Sequence, residues 1–227
     1  MGREARVLEA RASRRRAILD AALELFIDHG YAQVSIRNIA SRVEYSPAAI
    51  YGYFSSKEEI FYALAEEGFR HLGGREVADA PGADALEDVR AVAWRLYEFS
   101  KEQPQYFALV FLDRQVPRVS REYERFAFIS EMKRRAQARV ERCVGEGLFP
   151  PTTNPEVALR LLWAPIVGIA AFRLSDRFPE ALDTDALARD AIDTTIAGIC
   201  AGAPRHAQPA PTEPMTAPAV LAVATPA

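Results

Sequence analysis

Thiols and imidazoles are scarce in this chain, with two cysteines and three histidines among 227 residues. Cys143 and Cys200 stand 57 positions apart, outside any metal-ligand spacing. A structural disulfide is disfavoured in a reducing compartment, so both read as small buried hydrophobes, with a redox switch as the alternative. His29, His71 and His206 fall at a helix end, a loop border and the C-terminal tail. No nucleophile motif, metal spacing or phosphate loop accompanies them. The expectation is a protein that is not an enzyme, with no metal and no cofactor.

Long apolar runs are missing too. The strongest, Leu161 to Phe172, has 12 residues and contains a proline, short of the roughly 20 that a bilayer span needs. The arginine-rich N-terminus passes into an amphipathic pattern instead of the apolar core of a secretory signal. A cytoplasmic protein with no membrane partner is expected. Strand-like alternation is nearly absent as well, while apolar spacings of three and four recur throughout, which predicts an all-α fold.

What is present is unevenly placed. Residues 1–57 hold nine basic side chains against six acids, a surplus of +3 that leaves −6 for the rest of a chain carrying −3. A basic end on an acidic body suits a protein that meets phosphate at one end. Ile18, Ala21, Ala22, Leu25 and Phe26 form the apolar face of a first helix, with Ser13 as its N-cap and Gly30 as its stop. Ser35 caps a short second helix bearing Ile36, Ile39, Ala40 and Val43, and Ser46-Pro47 opens a third, Pro47 to Phe54. Ser56 and Glu59 form a capping box for a fourth helix, from 57 to about 71. Further helices are expected near 84–102, 104–113, 119–146, 155–177 and 183–201, with a kink at Pro165.

Two short helices joined by a tight turn make the helix-turn-helix pattern, in which the first braces the second so that its outward face enters a major groove. Ile36, Ile39, Ala40, Val43, Tyr45 and Ile50 supply the bracing, which leaves Ser46, Pro47, Ala48, Tyr51 and Gly52 outward. The ordered stretch Ile39-Ala40-x-x-Val43-Glu44-Tyr45-Ser46-x-x-x-Ile50-Tyr51-Gly52-Tyr53-Phe54-x-x-Lys57 resembles the DNA-binding signature of the TetR family of transcriptional regulators. Gly30-Tyr31 and Val34-Ser35-Ile36-Arg37 extend the match to roughly residues 13–65.

That resemblance implies a DNA-binding set of Ser35, Arg37, Ser46, Pro47, Ala48, Tyr51, Gly52, Tyr53 and Lys57. Ser35 and Arg37 would meet phosphate, Tyr51 a phosphate or sugar, Tyr53 the backbone, and Lys57 would add its charge to a helix N-terminus. On the residues alone, the alternatives are that Tyr51 and Tyr53 are core aromatics and Lys57 a solvated lysine, while Ser35 and Ser46 are N-caps whatever else they do. Three departures from the family pattern matter. Glu44 replaces a turn glycine, and a left-handed glutamate costs about 1–2 kcal/mol. Gly52 is expected inside the third helix, where glycine costs about 0.5–1 kcal/mol against alanine. Pro47 and Ala48 carry no hydrogen-bonding side chain, which points to readout through DNA shape or thymine methyls.

The resemblance further implies a C-terminal helical domain for ligand binding and dimerisation. The expected organisation is a flexible basic arm at 1–12, the helix-turn-helix domain at 13–57, a regulatory domain at 58–202 and a disordered Ala/Pro-rich tail at 203–227. Trp94, Tyr97, Phe107, Phe111, Phe126, Trp163 and Phe172 are candidates to line a pocket for a small apolar effector, or alternatively plain core. Ala164, Gly168, Ala171, Ala197 and Gly198 are small enough for close helix approach at a homodimer interface. The function expected is a repressor that binds a palindromic operator in double-stranded DNA and is released by that effector. The alternative is a ligand-binding or interaction protein of the same fold that has lost specific DNA binding.

Overall fold

A computed structural model describes residues 3–73, 82–117 and 127–202. Among them there are helices and turns and no strand. The order is α1 (Arg3–His29), a 3-10 turn (Tyr31–Gln33), α2 (Ile36–Arg42), α3 (Pro47–Tyr51), α4 (Lys57–Gly73), α5 (Ala85–Glu102) and α6 (Pro104–Phe107). A π-helical turn (Ala108–Leu112) follows, then α7 (Ala127–Gly145), α8 (Pro155–Leu174) and α9 (Thr184–Cys200). The expected tail and Phe126 lie outside the described residues.

α1 corrects the expected start at Ser13. It begins at Arg3 and runs for 27 residues with Glu4 in its first turn, so residues 3–12 continue the helix where a flexible arm was expected. The reason is local: this stretch is alanine, arginine, leucine and glutamate with one valine and no glycine or proline, a composition of strong helix formers. Gly30 then ends α1 at φ 78°.

The later helices start where short polar side chains and prolines stand. Asp84, Asn154 and Asp183 each accept two backbone N–H groups at the N-termini of α5, α8 and α9, satisfying donors that have no partner within the helix. Pro155 occupies the first turn of α8, while Pro165 lies inside that helix without ending it. By length and composition α8 is apolar enough to cross a membrane, at 20 residues and a mean hydropathy of 1.7, longer than its central apolar run suggested. Seven of its residues, Val157 through Ala170, are instead buried in the core, and it packs against α5, α7 and α9.

One apolar core spans the two halves. Ile18, Ala22, Phe26, Ile39, Ile50, Phe61 and Leu64 fill the space among α1–α4, and Val89, Leu96, Phe99, Val140, Leu162, Ile166 and Ile196 fill that among α5 and α7–α9. The segment 104–112 sits between them. Gly68 of α4 lets it close in: a Cβ there would stand 3.3 Å from Cβ of Tyr106 and 3.5 Å from Cγ2 of Val110.

Candidate nucleic-acid interface

α3 is five residues long, far too short to be stable alone. Ile50 holds it. That side chain is 0% exposed, against Ile39 at 0% and Ala40 at 1% on α2. At the other end Ser46 accepts the Ala49 N–H with Pro47 in the first turn, so the cap expected from sequence is made. Ser46, Pro47, Ala48 and Ala49 are exposed, and Tyr51 is 56% exposed. The outward face therefore begins at the N-terminus of α3 and ends in a phenol.

The turn before α3 carries the strain that the sequence implied. Glu44 has φ 58°, and around it the Tyr45 N–H reaches Ala40 O at 2.9 Å and the Glu44 N–H reaches Ser41 O at 3.3 Å. These two bonds form a Schellman motif with glutamate at the left-handed position usually given to glycine. Tyr45 packs half-buried behind it. Gly52 differs from expectation. α3 ends at Tyr51, and Gly52 is its C-terminal cap at φ −71°, not an interior residue, so any amino acid can adopt its backbone.

Ser35 is a cap in the full sense. It accepts the Asn38 N–H while its own N–H donates to Asn38 Oδ1 at 2.8 Å, and Arg37 beside it is exposed. Tyr53 is half-buried beneath the Arg11 guanidinium, 5.9 Å from the ring centroid, while Arg15 lies 4.9 Å over Phe54.

Lys57 requires a correction. Its ammonium does not stand clear at the α4 N-terminus. It donates to Tyr31 O and Val34 O, both at 2.9 Å, and lies 4.1 Å from the Tyr31 ring centroid. These carbonyls stand at the start and just past the end of the 3-10 turn, so Lys57 ties α4 to the loop that leads into α2. The neighbouring Tyr31 phenol is pushed above its usual range, first by burial and then by the Glu58 carboxylate 3.3 Å away. The capping box also shifts by one residue. Ser56 accepts the Glu59 N–H, but Glu59 returns to the N–H of Ser55 at 2.7 Å.

The helix-turn-helix half is joined to the rest by charged contacts that periodicity does not reveal. Arg16 of α1 donates to Glu67 of α4 at 2.7 Å. Burial pushes the Glu67 pKa up, but the Arg16 hydrogen bond and charge, together with a hydrogen bond from Tyr106 and the charge of His71, outweigh it and hold the carboxyl below its usual range. Asp113, just past the π turn, accepts the Tyr31 N–H at 3.1 Å. Arg95 of α5, 7% exposed, donates to His71 O at 2.7 Å and Leu72 O at 3.1 Å, with Glu102 at 3.1 Å. The signal for Arg95 is an arginine within two positions of the apolar residues Ala93, Leu96 and Tyr97, all buried. Such a residue must find acceptors.

The aromatic candidates divide. Tyr97 and Phe107 are fully buried, Trp94, Phe111 and Trp163 half-buried. Phe107 stacks on Phe111 at 5.0 Å, and Trp94 lies 5.0 Å from Tyr97, whose hydroxyl reaches Thr184 and Asp185. Phe172 does not face inward. It is 46% exposed and lies 5.5 Å from Phe178, because it falls to the side of the buried stripe of Ile166, Ile169 and Ala170, near the end of α8. A cleft of about 330 Å³ between α5 and α7 is charged, lined by Asp88, Glu131, Arg134, Arg135, Arg139 and Arg142. Of the small residues, Ala164, Gly168 and Ala197 are exposed, and Ala171 and Gly198 half-exposed. A Cβ at Gly168 or Gly198 would meet nothing within 4 Å.

Comparison with known proteins gives a consistent picture. The family profile "Bacterial regulatory proteins, tetR family" matches residues 18–64, and "Tetracyclin repressor-like, C-terminal domain" matches residues 89–195. The HTH-type transcriptional activator FasR of Mycolicibacterium smegmatis is 31% identical over 102 residues, 44% of this chain and 47% of that protein. The nicotine-responsive repressor HdnoR of Paenarthrobacter nicotinovorans is 36% identical over 86 residues, 37% of this chain and 42% of its own. The chain thus spans less than half the length of these curated relatives. Among solved structures, FadR from Bacillus subtilis in complex with stearoyl-CoA superposes with a TM-score of 0.65 at 18% identity, covering 81% of this chain and 98% of the other.

Proposed function

The chain belongs to the TetR family of bacterial transcriptional regulators, and from that premise we propose that it is a dimeric repressor whose hold on a palindromic operator is released by a small apolar ligand. The observation that carries the reading is the disposition of α3: Ile50 wholly buried, Ser46, Pro47, Ala48 and Tyr51 outward. A helix seated by one buried residue with its N-terminal face open is what a major groove accepts. Within this reading Tyr51, Arg37 and Tyr53 position the domain on phosphates, and Ser46, Pro47 and Ala48 approach the bases. Lys57 acts through the loop that it fastens, as a positioning residue. With two apolar or methyl-bearing residues at the start of α3, sequence preference comes from thymine methyls and duplex shape.

The open small-residue faces of α8 and α9 support a symmetric pairing of those helices between two copies. Two recognition helices then stand about 34–36 Å apart on one DNA face. A ligand that favours another spacing lowers affinity by its differential binding to the two states, typically 1–3 kcal/mol. Names among the relatives favour partly apolar effectors: one repressor is nicotine-responsive and one solved structure holds stearoyl-CoA.

Selection from a random duplex pool, followed by titration of the enriched duplex, tests the reading. A palindromic site bound by a dimer is expected, with Tyr51→Ala weakening it about five- to tenfold, the loss of roughly one hydrogen bond. Failure to enrich any duplex at low salt leaves the alternative, a ligand-binding protein of this fold. A panel of acyl and aromatic compounds then tests release.

A further inference from the structure

We propose that the overhanging start of α1 is a second DNA-binding element, an arginine-bearing helix that lies along the phosphates flanking each operator half-site. The inference rests on the DNA-binding reading above and extends it.

α1 is longer than the domain it braces. Its buried face begins at Ile18, and residues 4–15 are all exposed. At 1.5 Å per residue, the stretch from Glu4 to Arg14 projects roughly 15 Å, about the length of four to five base pairs. The inner stripe of α1 does not stop at the core. One and two turns before Ile18, Arg15 and Arg11 sit over Phe54 and Tyr53, the aromatics that follow α3. The same stripe then continues to Leu8 and Val7, 68% and 61% exposed, and to Glu4. The overhang therefore leaves the body at Tyr53, on the edge read as facing DNA, with Arg6 and Arg14 on the faces beside the stacked stripe.

The charge of this overhang matches one occupant. Arg6, Arg11, Arg14 and Arg15 stand against Glu4 and Glu9, while Arg16 is already paired with Glu67 and Asp20. A positive helix beside a groove-reading element meets the phosphates of the same duplex, where neutralising each phosphate releases counterions. Arg11 and Arg15, held over aromatic rings, lose less side-chain freedom on contact than free arginines would.

The test uses the full-length chain and the duplex enriched by selection, made in two forms: trimmed to the palindrome and extended on both flanks. Wild type is expected to bind the extended form about tenfold or more tightly at low salt. The double variant R6Q/R14Q leaves the Arg11 and Arg15 stacking untouched, and its far-UV spectrum reports helix content. It should erase most of that difference and reduce the slope of log affinity against log salt on the extended duplex by about two, close to 0.9 per lost phosphate. Affinity for the trimmed duplex and the preferred sequence should not change. Equal affinity of wild type for both duplexes, or an unchanged slope in the variant, overturns the inference while the repressor reading stands. A V7S/L8S variant that lowers the sedimenting mass with no effect on flank dependence assigns the overhang to a protein contact and overturns it as well. If wild type enriches no duplex at all, both readings fall together.

Discussion

The two halves of this molecule are held together by different means. In residues 31–57 nearly every position has a defined local role, whether as a cap, a turn, a single buried side chain or an ammonium on two carbonyls. In α5 and α7–α9 the same stability is spread over long helices whose apolar faces share the load. A small element with no spare contacts records its constraints in an ordered motif. A bundle meets its constraints with any apolar residues of about the right volume, so its sequence diverges and its details are hard to read.

If that contrast is right, single substitutions should act very unequally. The largest effect is expected at Ile50→Ala. Loss of a fully buried isoleucine side chain costs about 2–5 kcal/mol, and α3 has no other wholly buried residue. DNA binding should vanish while most helical circular dichroism persists, because α5–α9 do not depend on Ile50. An equal loss of all helix would break the comparison. Lys57→Met comes next, since it removes two hydrogen bonds from a charged group to the Tyr31 and Val34 carbonyls, each worth about 1.5–3 kcal/mol. Urea unfolding should show a drop of at least that size, with DNA affinity falling in parallel. A variant that keeps its stability and loses only affinity would restore Lys57 as a direct phosphate ligand.

Smaller effects sharpen the picture. Glu44→Gly relieves the left-handed strain and should stabilise by about 1 kcal/mol, raising the melting temperature by roughly 2–4 °C for a chain of this size. Gly52→Ala is the least. The cap has an ordinary α conformation, and the new Cβ would stand 3.3 Å from Ala49 O, so the melting temperature should move by less than about 1 °C. A large loss there would mean that the close approach cannot relax.

How much of the fold and site is legible in the sequence follows the same division. Ser35, Ser46-Pro47, Gly30 and the strained Glu44 are readable because caps and turns are local chemistry. The boundaries of α5, α8 and α9 fall close to Asp84, Asn154 and Asp183 for that reason. The start of α1 escapes because Ser13 looks like a cap, although nothing in residues 3–12 stops a helix. The place of Lys57 is hidden because the sequence does not reveal that the carbonyls of Tyr31 and Val34 turn toward it. Arg16–Glu67 and Asp113–Tyr31 bridge 51 and 82 positions, and no periodicity carries information over such distances. Phe172 reads as inward from its residue type, when its phase on α8 sets it outward.

The hydrogen bond from the Tyr31 amide to Asp113 makes one proton a spectator of both halves at once. That amide opens a loop whose carbonyls grip α4, yet its acceptor belongs to the segment just past the π turn. Its exchange with deuterated water therefore depends on the seating of the C-terminal half as well as on the stability of the loop itself. If the proposed effector reseats that half, this single resonance would register the change during a ligand titration before any DNA is added.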